Sequence, residues 1–269
     1  MMNTKLGSVS LAGMILALGT IVLLELVSKL PETELWASRT LVFEVLKPAL
    51  LCMQESGHGQ SRSFPRAEEV SRRWLARHPR PRDEAEKQII AVMDDMQDNQ
   101  ARGMGNVLPE DGRLMRMLTE SLEAKHVVEI GTANGYSALW FCLALRATGG
   151  RLTTHEIDPQ RILLARENFQ RAGVEQLVTL VEGDAHETIK SLRSPIDVLL
   201  LDAEKEGFCD YLEKLLPRVR KGGLIIAHDS SGQAHMMDEY FKAITENGDL
   251  ENVLVDASRW GMCISRKME

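Results

Sequence analysis

The chain predicts an α/β fold: a Rossmann-like, doubly wound, mostly parallel seven-stranded sheet that ends in a C-terminal antiparallel hairpin strand. Three observations predict it. An apolar run meets a glycine turn and an amphipathic run follows, in His126-Val-Val-Glu-Ile-Gly-Thr-Ala-Asn-Gly-Tyr-Ser137. A second strand-like segment, after Gly149-Gly150, ends in the carboxylate of Glu156. Strand and helix candidates then alternate to the end of the chain, the pattern of a parallel sheet covered by helices on both faces.

Taken in order, the N-terminus comes first. Residues 6–24 are uncharged and mostly apolar. As a helix they would span about 28 Å, one hydrocarbon core. A membrane-anchor helix within residues 1–30 is the favoured reading; a cleaved signal peptide and a buried core helix are the alternatives. Lys5, Lys29 and Arg39 give no orientation by the positive-inside rule. Residues 31–65 read as an amphipathic segment broken at Pro48, followed by a polar Gly/Ser linker.

Residues 66–269 are expected to form the folded domain. Residues 66–101 read as charged helices, with Ile89, Ile90, Val92, Met93 and Met96 on one apolar face. Residues 102–112 read as a loop and 113–123 as a helix. Strands are expected at 126–131, 151–156, 177–182, 196–202, 223–228, 251–256 and 260–266. Helices are expected at 137–147, 159–172, 185–192, 208–219 and 233–246. The last two strands are close enough to pair as a hairpin, which places one antiparallel strand in the sheet.

Composition excludes several classes. The 269 residues carry a net charge of −7, which disfavours a nucleic-acid partner. Cys52, Cys142, Cys209 and Cys263 show no C-x-x-C spacing, so neither a zinc framework nor a disulfide scaffold is expected.

The glycine turn carries the chemistry. Gly131 and Gly135 let the backbone approach a ligand, and the helix beginning near Ser137 offers free N–H groups. The plain alternative is a strand–helix corner without a ligand. The G-x-x-x-G spacing lacks the tighter G-x-G-x-x-G that favours a dinucleotide pyrophosphate, which argues against a nicotinamide dehydrogenase. Glu129 adds a negative charge near the turn, and Glu156 lies where a carboxylate accepts ribose hydroxyls. A sulfonium, an ammonium and a ribose without phosphate fit these features, which suggests S-adenosylmethionine. That cofactor is made in the cytoplasm, so a catalytic domain on the cytoplasmic side of the membrane is expected.

The turn Glu129–Ser137, the strand ending at Glu156 and Asp197-Val-Leu-Leu-Leu-Asp-Ala-Glu-Lys205 together resemble the catechol and caffeoyl-CoA O-methyltransferases over residues 80–267. The resemblance implies a class I S-adenosylmethionine-dependent enzyme, often with a divalent metal such as Mg or Mn. It places Gly131, Gly135 and Ser137 at the methionine end of the cofactor and Glu156 at its ribose. Asp184 and Ala185 fall at the adenine, and Asn106 and Val107 in the loop that closes over the cofactor. Asp184 also reads as a plain helix cap. The implied partner is a small hydroxylated, catechol-like acceptor, and a homodimer is a compatible assembly.

Methyl transfer to a phenol needs an ionised nucleophile. A divalent cation lowers the hydroxyl pKa, and a nearby lysine can take the proton. Asp202 reads as a metal ligand and Lys205 as the base; a capping aspartate beside a solvated lysine is the plain alternative. The metal-dependent relatives usually carry Asp-Asn after the next strand, where this chain has His228-Asp229. Without a gap, His228 and Asp229 replace that pair; with a one-residue slip, Asp229 and Ser230 do. Imidazole suits Mn, Fe, Co or Zn better than Mg. If no metal binds, His228 or Lys205 serves as a base in a metal-independent methyltransferase. A non-catalytic, membrane-tethered cofactor-binding module is the reading from another class, and the presence of Asp202 and Lys205 beside the turn speaks against it. Trp260, Met236, Met237 and Tyr240 are candidates for the acceptor pocket or for core. His155 is expected to pack or be exposed rather than to act.

Overall fold

The computed structural model describes residues 79–269. The expected apolar N-terminal helix, the membrane anchor that rests on it and the segment at 31–65 lie outside the described residues. Among the described residues, no helix is long and apolar enough to cross a membrane.

Helix α1 (Glu84–Asn99) starts where the Asp83 carboxylate accepts the Glu86 N–H, and it buries Ile89, Val92, Met93 and Met96 as the periodicity requires. Helix α2 runs over Pro109–Ser121. It begins four residues before the expected start at 113, so part of the segment read as loop is helix. Pro109 sits where a missing N–H costs nothing, and Glu110 and Asp111 complement the first turn. Gly112, which argued for a loop, is there for space: a Cβ on it would fall inside the indole of Trp140.

The remaining elements are β1 (His126–Ile130), α3 (Tyr136–Thr148), β2 (Arg151–Glu156), α4 (Pro159–Ala172), β3 (Val178–Glu182) and the single turn α5 (Ala185–Thr188). They are followed by β4 (Ile196–Leu201), α6 (Phe208–Leu215), β5 (Val219–His228), α7 (Asp238–Glu246), β6 (Leu250–Val255) and β7 (Met262–Lys267). Helix α6 is shorter than the pattern suggested, because the chain tightens into a 3-10 turn at Leu216–Arg218 around Pro217. Strand β5 starts earlier than expected and shifts register against β4 between Ile196 and Val198.

The seven strands lie in the order β3-β2-β1-β4-β5-β7-β6. The first five are parallel; β7 runs antiparallel between β5 and β6, so the hairpin contributes the one reversed strand. The strand order reverses between β1 and β4, which is where open α/β sheets bind ligands. Alternation divides the core. Val127, Val198 and Leu200 pack under α1, α3 and α4, whereas Val128, Leu199 and Leu201 pack against α6 and α7. Helix α3 has apolar residues nearly all round and is buried from Tyr136 to Leu145. Buried Glu86 ties α1 to α2 by pairing with Arg82 at 2.7 Å and Arg116 at 3.0 Å.

Two predictions concern stability. Gly112→Ala gains about 1 kcal/mol of helix propensity. Forcing a methyl into the fully buried Trp140 indole costs about 1–3 kcal/mol or more, so denaturant titration is expected to show a net loss. An increase would mean that the indole yields freely.

His155 is buried in β2, and its Nδ1 lies 2.8 Å from Thr188 Oγ1. Burial pushes its imidazole down to about 4 from an ordinary 6.5. The unfolded chain therefore takes up a proton that the native ring refuses. The His155 contribution is complete above pH 6.5 and is lost as pH falls towards 4. Between pH 7 and pH 5 the loss amounts to about 2 kcal/mol. Buried Glu129 acts with the opposite sign: burial, against hydrogen bonds from Ser137 and Thr154, pushes its carboxyl up to about 8. Its contribution is lost as pH rises towards 8. The difference between the wild type and His155→Gln isolates the histidine. That difference should shrink by about 2 kcal/mol from pH 7 to pH 5, and a constant difference would show that the ring protonates freely in the fold.

Candidate functional site

The C-terminal ends of β1, β2 and β4 surround a cavity of about 770 Å³. Gly131 lies at φ +100°, and a Cβ there would overlap the backbone oxygen of Asp202. Only glycine permits that approach. Gly135, at φ +89°, caps α3 with its α-carbon against Phe169, whose ring would lie 2.7 Å from a Cβ. The turn between them is fixed from β2: the Gly131 and Thr132 N–H groups donate to His155 O at 3.0 and 3.1 Å, and Ala133 N–H donates to Glu156 Oε2 at 2.8 Å.

Most of the cofactor residues expected from sequence converge here. Asn106, Val107, Gly131, Ser137, Glu156, Asp184 and Ala185 all line the cavity. Glu156 Oε1 accepts from the Ile157 and Asp158 N–H groups at 3.0 and 2.9 Å, which holds the carboxylate at the strand end. Asp184 is also the helix cap: Oδ1 accepts the His186 N–H at 2.8 Å, so both readings of that residue hold together. Asn106 Oδ1 and Nδ2, and Nδ2 of the fully buried Asn134, have no hydrogen-bond partner among the described residues. Buried amides without partners are costly, and a polar ligand in the cavity would supply them.

Glu129 and Gly135 sit behind this wall rather than on it. Glu129 Oε1 accepts from Ser137 Oγ at 2.6 Å, and Oε2 accepts from Thr154 Oγ1 at 2.6 Å. With its carboxyl pushed up to about 8 by burial, Glu129 is largely neutral at pH 7. The residue meets the cavity wall through Ser137.

The acidic cluster adjoins the turn through the Gly131–Asp202 contact. Asp202 follows β4, with its N–H on Ile130 O at 2.9 Å. His228 ends β5, and Asp229 follows in the left-handed region at φ 62°. One ligand atom from each of the three lies within 4.8 Å of those of the other two. The ungapped register is thus the one in which both replacements face Asp202. Ser230, the asparagine equivalent in the slipped register, turns away and donates to Ala227 O at 2.7 Å. His228 Nδ1 lies 3.1 Å from Asp202 Oδ1 and 3.3 Å from Asp229 Oδ1. Its Nε2 lies 3.1 Å from Asp111 Oδ2. Burial works against charge on this ring, but the surrounding carboxylates of Asp202, Asp111 and Asp229 outweigh it and push the pKa up to about 10. Lys205, also buried, sets Nζ 3.2 Å from Asp229 Oδ2, 3.9 Å from Asp202 Oδ1 and 4.8 Å from the centre of the Phe208 ring.

Three residues of this environment were missed in the sequence. Asp111 lay in the segment read as loop, and Asn134 and Gln233 gave no signal of their own; Gln233 Nε2 donates to Asp229 Oδ2 at 3.1 Å. Of the acceptor-pocket candidates, Met236 lines the cavity and is partly exposed. Met237 and Tyr240 are core instead, packed against α6 with Phe208 edge-on to Tyr240. Trp260 covers Gly232 rather than lining the cavity.

A family model described as O-methyltransferase matches residues 83–243. Catechol O-methyltransferase from Niastella koreensis is 33% identical over 138 residues, covering 50% of this chain and 62% of that protein. Catechol O-methyltransferase from Mycobacterium tuberculosis is 35% identical over 123 residues, covering 45% of this chain and 54% of that protein. The matches thus span less than two thirds of these relatives. Among solved structures, an SAH-bound methyltransferase from Podospora anserina superposes with a TM-score of 0.67 at 22% identity, over 78% of this chain and all of that one. The O-methyltransferase from Bacillus cereus, in complex with SAH, gives 0.60 at 22% identity, over 76% and 96%. At those identities the structures speak for the fold, and the family model speaks for kinship: the chain belongs to the O-methyltransferase family.

Proposed function

We propose that this protein transfers the methyl group of S-adenosylmethionine to a hydroxyl of a small catechol-like or caffeoyl-type acceptor, assisted by a divalent cation. The observation that carries this reading is the meeting, in one cavity, of the glycine turn and the Asp202–Lys205–Asp229 cluster. The names of the relatives, catechol and caffeoyl-CoA O-methyltransferases, agree with it.

In this reading Glu156 accepts the ribose hydroxyls, and the N-terminus of α3 with Ser137 receives the methionine end. The unpartnered amides of Asn106 and Asn134 find their partners in the same ligand. Asp184 and Ala185 border the adenine. A two-oxygen, one-nitrogen donor set fits a divalent cation, and Asp202, His228 and Asp229 would hold it. Such an ion lowers the pKa of a bound hydroxyl and orients vicinal oxygens. Lys205 Nζ stands beside the same carboxylates and carries the hydroxyl proton: as an amine it accepts, and as an ammonium it pairs with Asp229. Phe208 under Nζ and the burial of Lys205 keep water from competing for that proton.

The test is transfer of labelled methyl by the full-length protein to catechols and caffeoyl esters, with Mg, with Mn and with a chelator. Transfer that the chelator abolishes is expected. Chelator-resistant transfer would remove the ion from the reading, and cofactor binding without transfer to any acceptor would remove the catalysis. Lys205→Met is expected to lower kcat by about 10²–10⁴-fold, the usual worth of a positioned proton carrier. Glu156→Ala should instead weaken cofactor binding by about 10-fold or more, since hydrogen bonds to a charged group contribute about 1.5–3 kcal/mol. Calorimetry with S-adenosylhomocysteine separates the two effects.

A further inference from the structure

Behind the cluster lies a carboxylate that the reaction does not use. Asp111, in the first turn of α2, is fully buried. Its Oδ2 accepts from Ser258 Oγ at 2.6 Å and faces His228 Nε2 at 3.1 Å, while its Oδ1 has no partner among the described residues. Neither Asp111 nor Ser258 borders the cavity, whereas Asp202 and Asp229 do. The two ends of the His228 ring therefore meet different surroundings: Nε2 points into the protein, and Nδ1 points to the cavity carboxylates.

We propose that Asp111 is a positioning residue that makes His228 a nitrogen ligand through Nδ1, and so selects a transition-metal ion over magnesium. The inference rests on the metal-assisted reading of the site. Asp111 already receives the Ser258 hydroxyl proton on Oδ2, so it faces the ring as an acceptor. With a cation held by Asp202 and Asp229, Nε2–H would donate to Asp111 and leave the other ring nitrogen to the cation. The lone pair then lies on Nδ1, between Asp202 and Asp229. A carboxylate behind a ligating imidazole fixes the ring's orientation and raises its basicity, and losing it costs about 10–100-fold in metal affinity. Magnesium prefers an all-oxygen shell, whereas manganese, cobalt and zinc accept imidazole.

Asp111 is held for this task from two sides. The ion pairs of Glu86 fix α2 against α1, and Gly112 allows α2 to settle on Trp140. Ser258 reaches Asp111 from the loop between β6 and β7.

The experiment titrates full-length protein with Mn(II), Co(II) and Mg(II), without acceptor, and records the electron spin echo modulation of bound Mn(II) for nitrogen coupling. The wild type should bind Mn and Co more tightly than Mg and show nitrogen coupling. Asp111→Ala should lose about 10–100-fold in Mn and Co affinity while Mg binding changes little. His228→Asp should lose the nitrogen coupling and prefer Mg, and adding Asp111→Ala to it should cost no further metal affinity. If the Ala variant fails to fold, Asp111→Asn reports the same loss in smaller measure. Equal affinity of wild type and Asp111 variants for Mn, a wild-type preference for Mg, or absence of nitrogen coupling would overturn the proposal. Metal binding that fails altogether would overturn it too. If S-adenosylhomocysteine still bound and methyl still transferred, the methyltransferase reading would stand without it.

Discussion

The site depends on one close backbone approach, that of Gly131 to the carbonyl of Asp202. It occurs at the reversal of strand order, where β1 and β4 are neighbours and the crossovers leave them on opposite sides. The Asp202 N–H on Ile130 O, at 2.9 Å, extends the pairing of these strands past their ends. No side chain fits between them, so the turn that receives a ligand and the strand end that presents a carboxylate share one wall. A wider gap would separate the two halves of the chemistry. The φ of +100° is the conformational condition, and the absence of a Cβ is the steric one. Both fall on the same residue.

Electrostatics follow from that wall. Asp111, Asp202 and Asp229 surround two cationic groups, His228 and Lys205. Buried charges persist only when paired, and here each cation touches at least two carboxylates. The cluster is thus short of positive charge, which is the condition for attracting a further cation from the cavity side. Elsewhere burial removes charge instead. Glu129 has hydroxyl partners and no cation, so its carboxyl is pushed up to about 8.

The sequence made the centre of the sheet legible because β1 and β4 are buried on both faces. Val127-Val128 and Val198-Leu-Leu-Leu201 read as unbroken apolar runs bounded by turns. Gly131, Glu156, Asp202 and Lys205 were legible because they stand at strand ends, where spacing alone fixes their place. What stayed hidden depended on contacts across the chain. Asp111 was obscured by Gly112, a helix residue shaped by Trp140 of another helix. The choice between the two registers at His228-Asp229 required knowing which residue pairs with Met262 of β7.

The C-terminal hairpin closes the argument about specificity. The Ser231 and Gly232 N–H groups both donate to Trp260 O, at 2.8 and 2.9 Å, and Ser230 N–H donates to Gly261 O at 3.2 Å. These bonds clamp the segment after β5 to the turn before β7. The same turn region places Ser258 on Asp111 and Trp260 over Gly232. Residues 256–261 lie beyond the stretch matched by the family model, which ends at 243. The glycine turn, Asp202, Lys205 and the His228-Asp229 pair lie within the matched stretch, and the hairpin turn beyond it braces them from behind. Met236 and Gln233, on the clamped segment, are the cavity residues whose positions follow that turn. A change in the hairpin can thus move the cavity wall carrying Met236 and Gln233 and the outer support of His228 together, without disturbing the glycine turn.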